Sequence, residues 1–238
     1  MALRCKPWVP IADSGCEHVT DRFKTTGHII RVYPYPKLVE AMPRPSVRGK
    51  LVEAGLDTLH GLGFNGASIQ DIVDAAGVPK GSFFNHFKSK ELLALEVLVR
   101  YGQTSGMEIL LDKAKAPIVR LREHFEYLAK GYARWGYERG CLLGNFSSEL
   151  ATSHPQIREA LKVNFEIWSG FVADLIREAQ ASGAVDASRD AGTLANFILN
   201  AWQGVAMRQK VVRDAGPADE FFRVTFDLLL APPAKPGT

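Results

Sequence analysis

From Ser46 to Leu230 apolar residues return every three to four positions, and no two-residue alternation of the kind a half-buried strand shows persists anywhere in that span. A chain patterned this way buries one stripe of each helix against its neighbours, so the fold is expected to be all-α. Val47, Leu51, Gly55 and Leu59 begin the pattern, with Val52, Leu56 and Leu62 widening the stripe and Gly61 and Gly63 ending it. A second helix starts at Ser68, whose hydroxyl and the carboxylate of Asp71 have the spacing of a capping box. Ile72, Val73, Ala75 and Ala76 form its buried side, and Gly77 ends it. Pro79 is pre-set for the first turn of a short third helix. Ser89 and Glu91 open a fourth, which carries Leu92, Leu95 and Val99 toward Leu111. Further helical stretches cover about 117–139, 155–181, 190–212 and 217–230.

Residues 1–41 read differently. Six prolines (7, 10, 34, 36, 43 and 45) punctuate this end of the chain without sustained periodicity, apart from a short β-like patch at Ile29–Tyr35. The segment reads as a disordered extension or as sequence upstream of the true start, because Met42 opens what looks like a fresh beginning. The expected organisation is therefore an extension at 1–41, a three-helix helix-turn-helix domain at 42–93, and a larger helical domain at 94–238. No run approaches the roughly 18 apolar residues that span a bilayer, and Lys6, Asp13, Glu17 and Asp21 break any secretion-signal core. A cytoplasmic location is expected, in keeping with an odd count of three cysteines. The formal charge of +3 permits a nucleic-acid partner without demanding one.

Two short helices joined at Gly77 behind a longer first helix make a helix-turn-helix. Glycine suits the turn because it tolerates positive φ, and Val78 can plug the angle between the helices. The second helix of such a pair lies in the major groove with its first residues at the base edges. Lys80 and Lys90 then flank the groove as phosphate anchors, and Asn85 can read adenine through paired hydrogen bonds. Phe83 and Phe87 belong to the core. The stretch Gly61-Leu62-Gly63-Phe64-Asn65-Gly66 spells a dinucleotide fingerprint, but it follows a helix rather than a strand and is a helix stop.

The span from Arg48 to Leu93, above all Ser68-Ile69-Gln70-Asp71-Ile72-Val73-Asp74-Ala75-Ala76-Gly77-Val78-Pro79-Lys80-Gly81-Ser82-Phe83-Phe84-Asn85-His86-Phe87-Lys88-Ser89-Lys90-Glu91, resembles the DNA-binding domain of the TetR/AcrR family. The resemblance implies a repressor that binds a palindromic operator in double-stranded DNA as a homodimer and is released by a small-molecule inducer. It places Arg48, Ser68, Lys80, Gly81, Ser82, Phe84, Asn85, His86 and Lys90 at the DNA. Gly81 allows close backbone approach, and Phe84 stands where the family usually has a phosphate-binding tyrosine, which removes one donor.

Beyond Leu111 large apolar side chains recur at helical spacing, and most of them read as core. The family resemblance implies a ligand pocket among them, for which Trp135, Phe165 and Trp168 are the candidates. The stretches 190–212 and 217–230 carry more apolar surface than one internal face can bury, which suits a subunit interface. Cys141, after Arg139-Gly140, resembles the sensor cysteine of the branch typified by N-ethylmaleimide-responsive repressors. Arg139 or a helix start could lower its pKa, whereas a buried cysteine would act as a small hydrophobe. No cofactor is implied, and no His/Cys cluster has metal-ligand spacing. Two alternatives stay open: a helical adaptor that has lost DNA binding, and a thiol-dependent enzyme built on Cys141.

Overall fold

The computed structural model describes residues 46–232, and every element among them is helical. Residues 1–41, where an extension with a β-like patch is expected, lie outside the described residues. The elements are α1 (Val47–Leu62), α2 (Ile69–Ala76), α3 (Lys80–His86), α4 (Lys90–Gln103), α5 (Met107–Leu110), α6 (Pro117–Arg134), α7 (Leu142–Leu150), α8 (Pro155–Ala181), α9 (Ala191–Val212) and α10 (Gly216–Phe222). A π-helical stretch, Arg223–Leu229, extends the last of them. No helix among the described residues is long and apolar enough to cross a membrane.

Local chemistry sets the first boundaries. Ser46 Oγ accepts from Gly49 N, and α1 runs through Gly61 to stop at Gly63, whose φ is +78°. The capping box at α2 is complete: Ser68 Oγ accepts from Asp71 N, and the Asp71 carboxylate accepts from Ser68 N. Ser89 Oγ accepts from Leu92 N at the head of α4. Pro79 precedes α3 as its cap instead of forming its first turn.

Packing departs from the sequence reading at α4. The face that turns inward is Leu93, Ala94, Val97, Leu98 and Tyr101, while Leu92 is exposed and Leu95 and Val99 are half-buried. Likewise α2 buries Ile72 and Val73 but leaves Ala75 exposed. The fourth helix also ends earlier than expected, at Gln103. Gly106 then adopts φ +70° with the Tyr127 ring where a Cβ would sit, and this turns the chain into α5. α6 stops at Arg134, five residues short of the predicted end, and Leu142–Leu150 forms a helix where a break was expected.

α1 packs against α2 and α4, and α4 also packs against α8, so the expected division near residue 94 falls inside one continuous helix. Leu51, Leu59, Ile72, Phe83 and Leu93 fill the core around α1. In the larger bundle Trp202 lies 5.0 Å from Phe125 and 4.9 Å from Phe221, ring centre to ring centre. Full burial of each such side chain stabilises the fold by roughly 1.5–3 kcal/mol. Arg120 is also buried: it donates to Leu110 O at 3.0 Å and pairs with Glu178, tying α5, α6 and α8 together.

Candidate nucleic-acid interface and the seam behind it

The turn between α2 and α3 is made by Gly77 in the left-handed region at φ +63°. Gly77 N donates to Asp74 O and Val78 N to Val73 O, closing the end of α2. Phe83 and Phe87 anchor α3 in the core, with Phe83 edge-on to Phe84 at 5.3 Å. The remaining residues of α3 face outward. Lys80, Gly81, Phe84, Asn85 and His86 are exposed and Ser82 is half-buried, with Phe84 keeping 54% of its surface accessible. A Cβ built on Gly81 meets nothing within 4 Å, so internal packing does not require glycine there. Lys80, Gly81, Ser82, Phe84, Asn85 and His86 thus share one short helix with an open outer face.

The other three residues assigned to DNA from sequence are engaged inside the molecule. Arg48 donates to His86 O at 3.0 Å, pairs with Glu96, and lies 4.6 Å over the Phe87 ring, clamping the end of α3 to α1 and α4. Lys90 Nζ donates to Phe64 O at 2.7 Å and to Ala67 O at 2.6 Å, and sits 4.4 Å from the Phe64 ring centre. Burial lowers its pKa, opposed by Glu149 and Asp71. Ser68 Oγ serves the capping box.

Behind the helix-turn-helix, the C-terminal half of α1 meets the segment 135–141. His60 is 3% exposed, and its Nε2 donates to Gly140 O at 2.9 Å. Its ring stands edge-on to Tyr101 (5.5 Å) and Trp135 (5.0 Å). Burial drives its pKa down to about 4, only partly countered by the Gly140 bond, so the ring is neutral near pH 7. Arg139 pairs with Asp57 of α1. Beside this seam a cavity of about 300 Å³ opens, lined by α1, the end of α4 and α6. Nothing in the sequence gives His60 a role, because a histidine on a helix carries no mark of the backbone carbonyl it will meet 80 residues on.

Of the three residues assigned to a ligand, Trp135 lines this cavity and Phe165 and Trp168 do not. Trp168 is in the core, where its Nε1 donates to His124 Nε2 at 3.0 Å while His124 Nδ1 donates to Gly106 O at 3.1 Å. Phe165 is half-buried against the core. Cys141 is 3% exposed at the head of α7, with Tyr101 Oη donating to its Sγ at 3.8 Å and Gln203 Nε2 at 3.5 Å. Burial pushes the Tyr101 phenol up, so it remains a donor.

Known proteins share this fold. Residues 51–97 match the family of bacterial regulatory proteins described as the tetR family, and residues 117–225 match the tetracyclin repressor-like C-terminal domain. The chain is 36% identical over 192 residues to the HTH-type transcriptional repressor DhaR of Mycobacterium sp. (strain GP1), covering 79% of this chain and 95% of DhaR. A crystal structure of a regulatory protein TetR from Rhodobacter sphaeroides, 35% identical, superposes with a TM-score of 0.70 over 75% of this chain and 96% of that one. The reduced form of NemR from E. coli superposes at a TM-score of 0.72 over 79% of this chain and 99% of NemR, but at 21% identity. That likeness shows the fold alone, and the N-ethylmaleimide-responsive branch is a distant relation. By both its helix-turn-helix and its C-terminal bundle, the chain belongs to the TetR family.

Proposed function

We propose that this protein is a transcriptional repressor that grips a palindromic operator as a two-fold dimer and releases it when a small molecule occupies the C-terminal bundle. The observation that carries the reading is α3, a helix pinned by two buried phenylalanines on whose exposed side the side chains of Lys80, Asn85 and His86 make no hydrogen bond or ion pair among the described residues. In the groove, Lys80 and Ser82 hold phosphates, Gly81 lets the backbone approach, and Asn85 reads a base edge. His86 and Phe84 lie against the backbone. Arg48, Ser68 and Lys90 act one step removed by fixing the pose of α3 and the loop before α2. DhaR is named a repressor, which supports repression over activation.

A second copy fits the apolar face left on α9 and the last helix, where Phe197, Met207, Val211, Val224 and Leu228 are exposed. Two copies present two α3 helices, and this is how one short helix gains affinity. The location is the cytoplasm, where the operator is. A ligand moves the equilibrium only by binding the DNA-incompetent arrangement more tightly. Cys141, buried under two donors, serves this reading as a packed small hydrophobe, since a reactive thiol needs exposure.

In vitro selection from random duplex DNA tests the proposal. Enrichment of a palindrome with affinity that falls steeply with salt is expected. A folded protein that enriches nothing overturns it in favour of a helical adaptor.

A further inference from the structure

The cavity at the seam differs from a generic gap in its chemistry. Leu56 and Leu128 supply apolar wall, and His60, Tyr101 and Trp135 supply aromatic edges. Three of its hydroxyls have their protons placed elsewhere: Thr104 Oγ1 donates to Tyr101 O (3.0 Å), Ser105 Oγ to Gly102 O (2.7 Å) and Tyr127 Oη to Thr104 O (3.1 Å), while the buried Tyr132 Oη has no partner among the described residues. Those three therefore offer lone pairs to the cavity rather than protons. His60 is buried with Nε2 held by Gly140, and its Nδ1, an acceptor in that tautomer, has no hydrogen-bond partner among the described residues. The carboxylates of Glu53 and Asp57 are neutralised by Arg100 and Arg139. Of the wall's guanidiniums, Arg139 is thus engaged, whereas Arg134 has no ion pair among the described residues and brings its Nη2 within 3.9 Å of where a Cβ on Gly131 would sit.

Gly131 adds an independent observation. It lines the cavity, buried, in the interior of the 18-residue α6. Built there, a Cβ would find only the end of the Arg134 side chain, at 3.9 Å. Packing does not exclude alanine, and glycine is a much poorer helix former than alanine. The residue keeps space open.

The geometry points to this cleft as the effector site, taking a small aromatic that carries hydroxyl donors and no positive charge. The assignment deepens the ligand-responsive reading and rests on it. The ring lies among the aromatic edges and its hydroxyl protons meet His60 Nδ1 and the lone pairs of Thr104 and Ser105. Because α1 forms one wall, such a ligand touches the DNA-binding unit directly.

The test uses full-length protein and resorcinol, a dihydroxybenzene that resists oxidation, titrated by calorimetry beside 1,3-dimethoxybenzene and benzylamine. Resorcinol is expected to bind with a dissociation constant of about 1 mM or tighter, as its few atoms allow. The dimethoxy analogue and the amine should bind at least about tenfold more weakly, since an acceptor wall loses its partners or meets a charge. His60→Gln, whose amide can still donate to Gly140 O, should weaken resorcinol about tenfold while the protein remains folded. Gly131→Leu should abolish binding; if that variant fails to fold, Gly131→Ala should lower affinity while raising Tm. No resorcinol binding, equal binding of the dimethoxy analogue or tighter binding of benzylamine overturns the assignment, as does unchanged affinity in the Gly131 variants. Resorcinol binding by a protein that selects no duplex sequence would keep the cleft and remove the repressor reading.

Discussion

α3 and the segment 135–141 are both seven residues long, and they are held in opposite ways. α3 is gripped on one side by Phe83 and Phe87 and leaves its other side in solvent. The segment 135–141 is gripped on two. From α1, His60 holds Gly140 O and Asp57 pairs with Arg139. From the α9 side, Arg213 donates to Gly136 O at 3.4 Å, and Ala206 O lies 3.0 Å from where a Cβ on Gly140 would sit. One element is free to meet something outside the molecule, and the other joins the helix that carries the helix-turn-helix to the helix with the exposed apolar face. Substitutions should therefore cost stability at the seam and partner binding at α3.

Gly140→Val should break the seam hardest. Gly140 has φ +63°, which a β-branched residue resists, and a Cβ would press on Ala206 O and on Lys210 Cδ at 3.1 Å. A loss of about 3 kcal/mol in chemical denaturation is expected, the sum of backbone strain and overpacking. A loss below about 1 kcal/mol would show that the seam yields.

Acid should act on the same region almost as strongly. Burial first, against a partly offsetting bond to a backbone carbonyl, lowers His60 from 6.5 to about 4. Between those values the unfolded chain binds protons that the folded one refuses. Stability is therefore whole above about pH 6.5 and falls as pH drops toward 4, by on the order of 3 kcal/mol for this histidine. Denaturation midpoints measured across that window should flatten in His60→Gln, and an unchanged slope would remove His60 from the account.

What could be read from the sequence follows the same division. Ser68, Asp71 and Gly77 act on backbone atoms within a few residues, so α2 and its turn were legible, and the family pattern marked the outward residues of α3. The helix Leu142–Leu150 was not. It starts at Cys141 without a side-chain cap and contains Gly144, Asn145, Ser147 and Ser148, weak helix formers held by tertiary packing. The face of α4 was misread because Leu92, Leu95 and Val99 are as apolar as the residues that turn inward, and α1 and α8 decide between them. The cleft was legible only through Trp135, since its polar character comes from where Thr104, Ser105 and Tyr127 send their protons.

Lys80 and Lys90 sharpen the contrast with one residue type. Lys90→Met should cost about 1–3 kcal/mol by leaving Phe64 O and Ala67 O without their donor. It should leave the salt slope of DNA binding unchanged. Lys80→Ala should leave stability within about 0.5 kcal/mol and reduce that slope by about 1 for each phosphate the side chain no longer reaches. The opposite assignment of these two effects would mean that Lys90 leaves its carbonyls when DNA is bound.

The smallest expected effect is a gain. Phe84 keeps 54% of its surface accessible and meets Phe83 in a T-shaped pair, so a hydroxyl added to its ring is expected to meet solvent in the free protein. Phe84→Tyr should therefore leave the denaturation midpoint in place. On the operator the new hydroxyl can donate to a phosphate oxygen. One such neutral donor is worth about 1 kcal/mol, or about fivefold in affinity, and carries no charge to change the salt slope. Operator affinity measured at two salt concentrations separates the outcomes: a parallel shift of both values places residue 84 against the DNA backbone. No shift at either concentration would place the outward face of α3 in the groove at a different angle, with the start of the helix near the bases and residue 84 turned away.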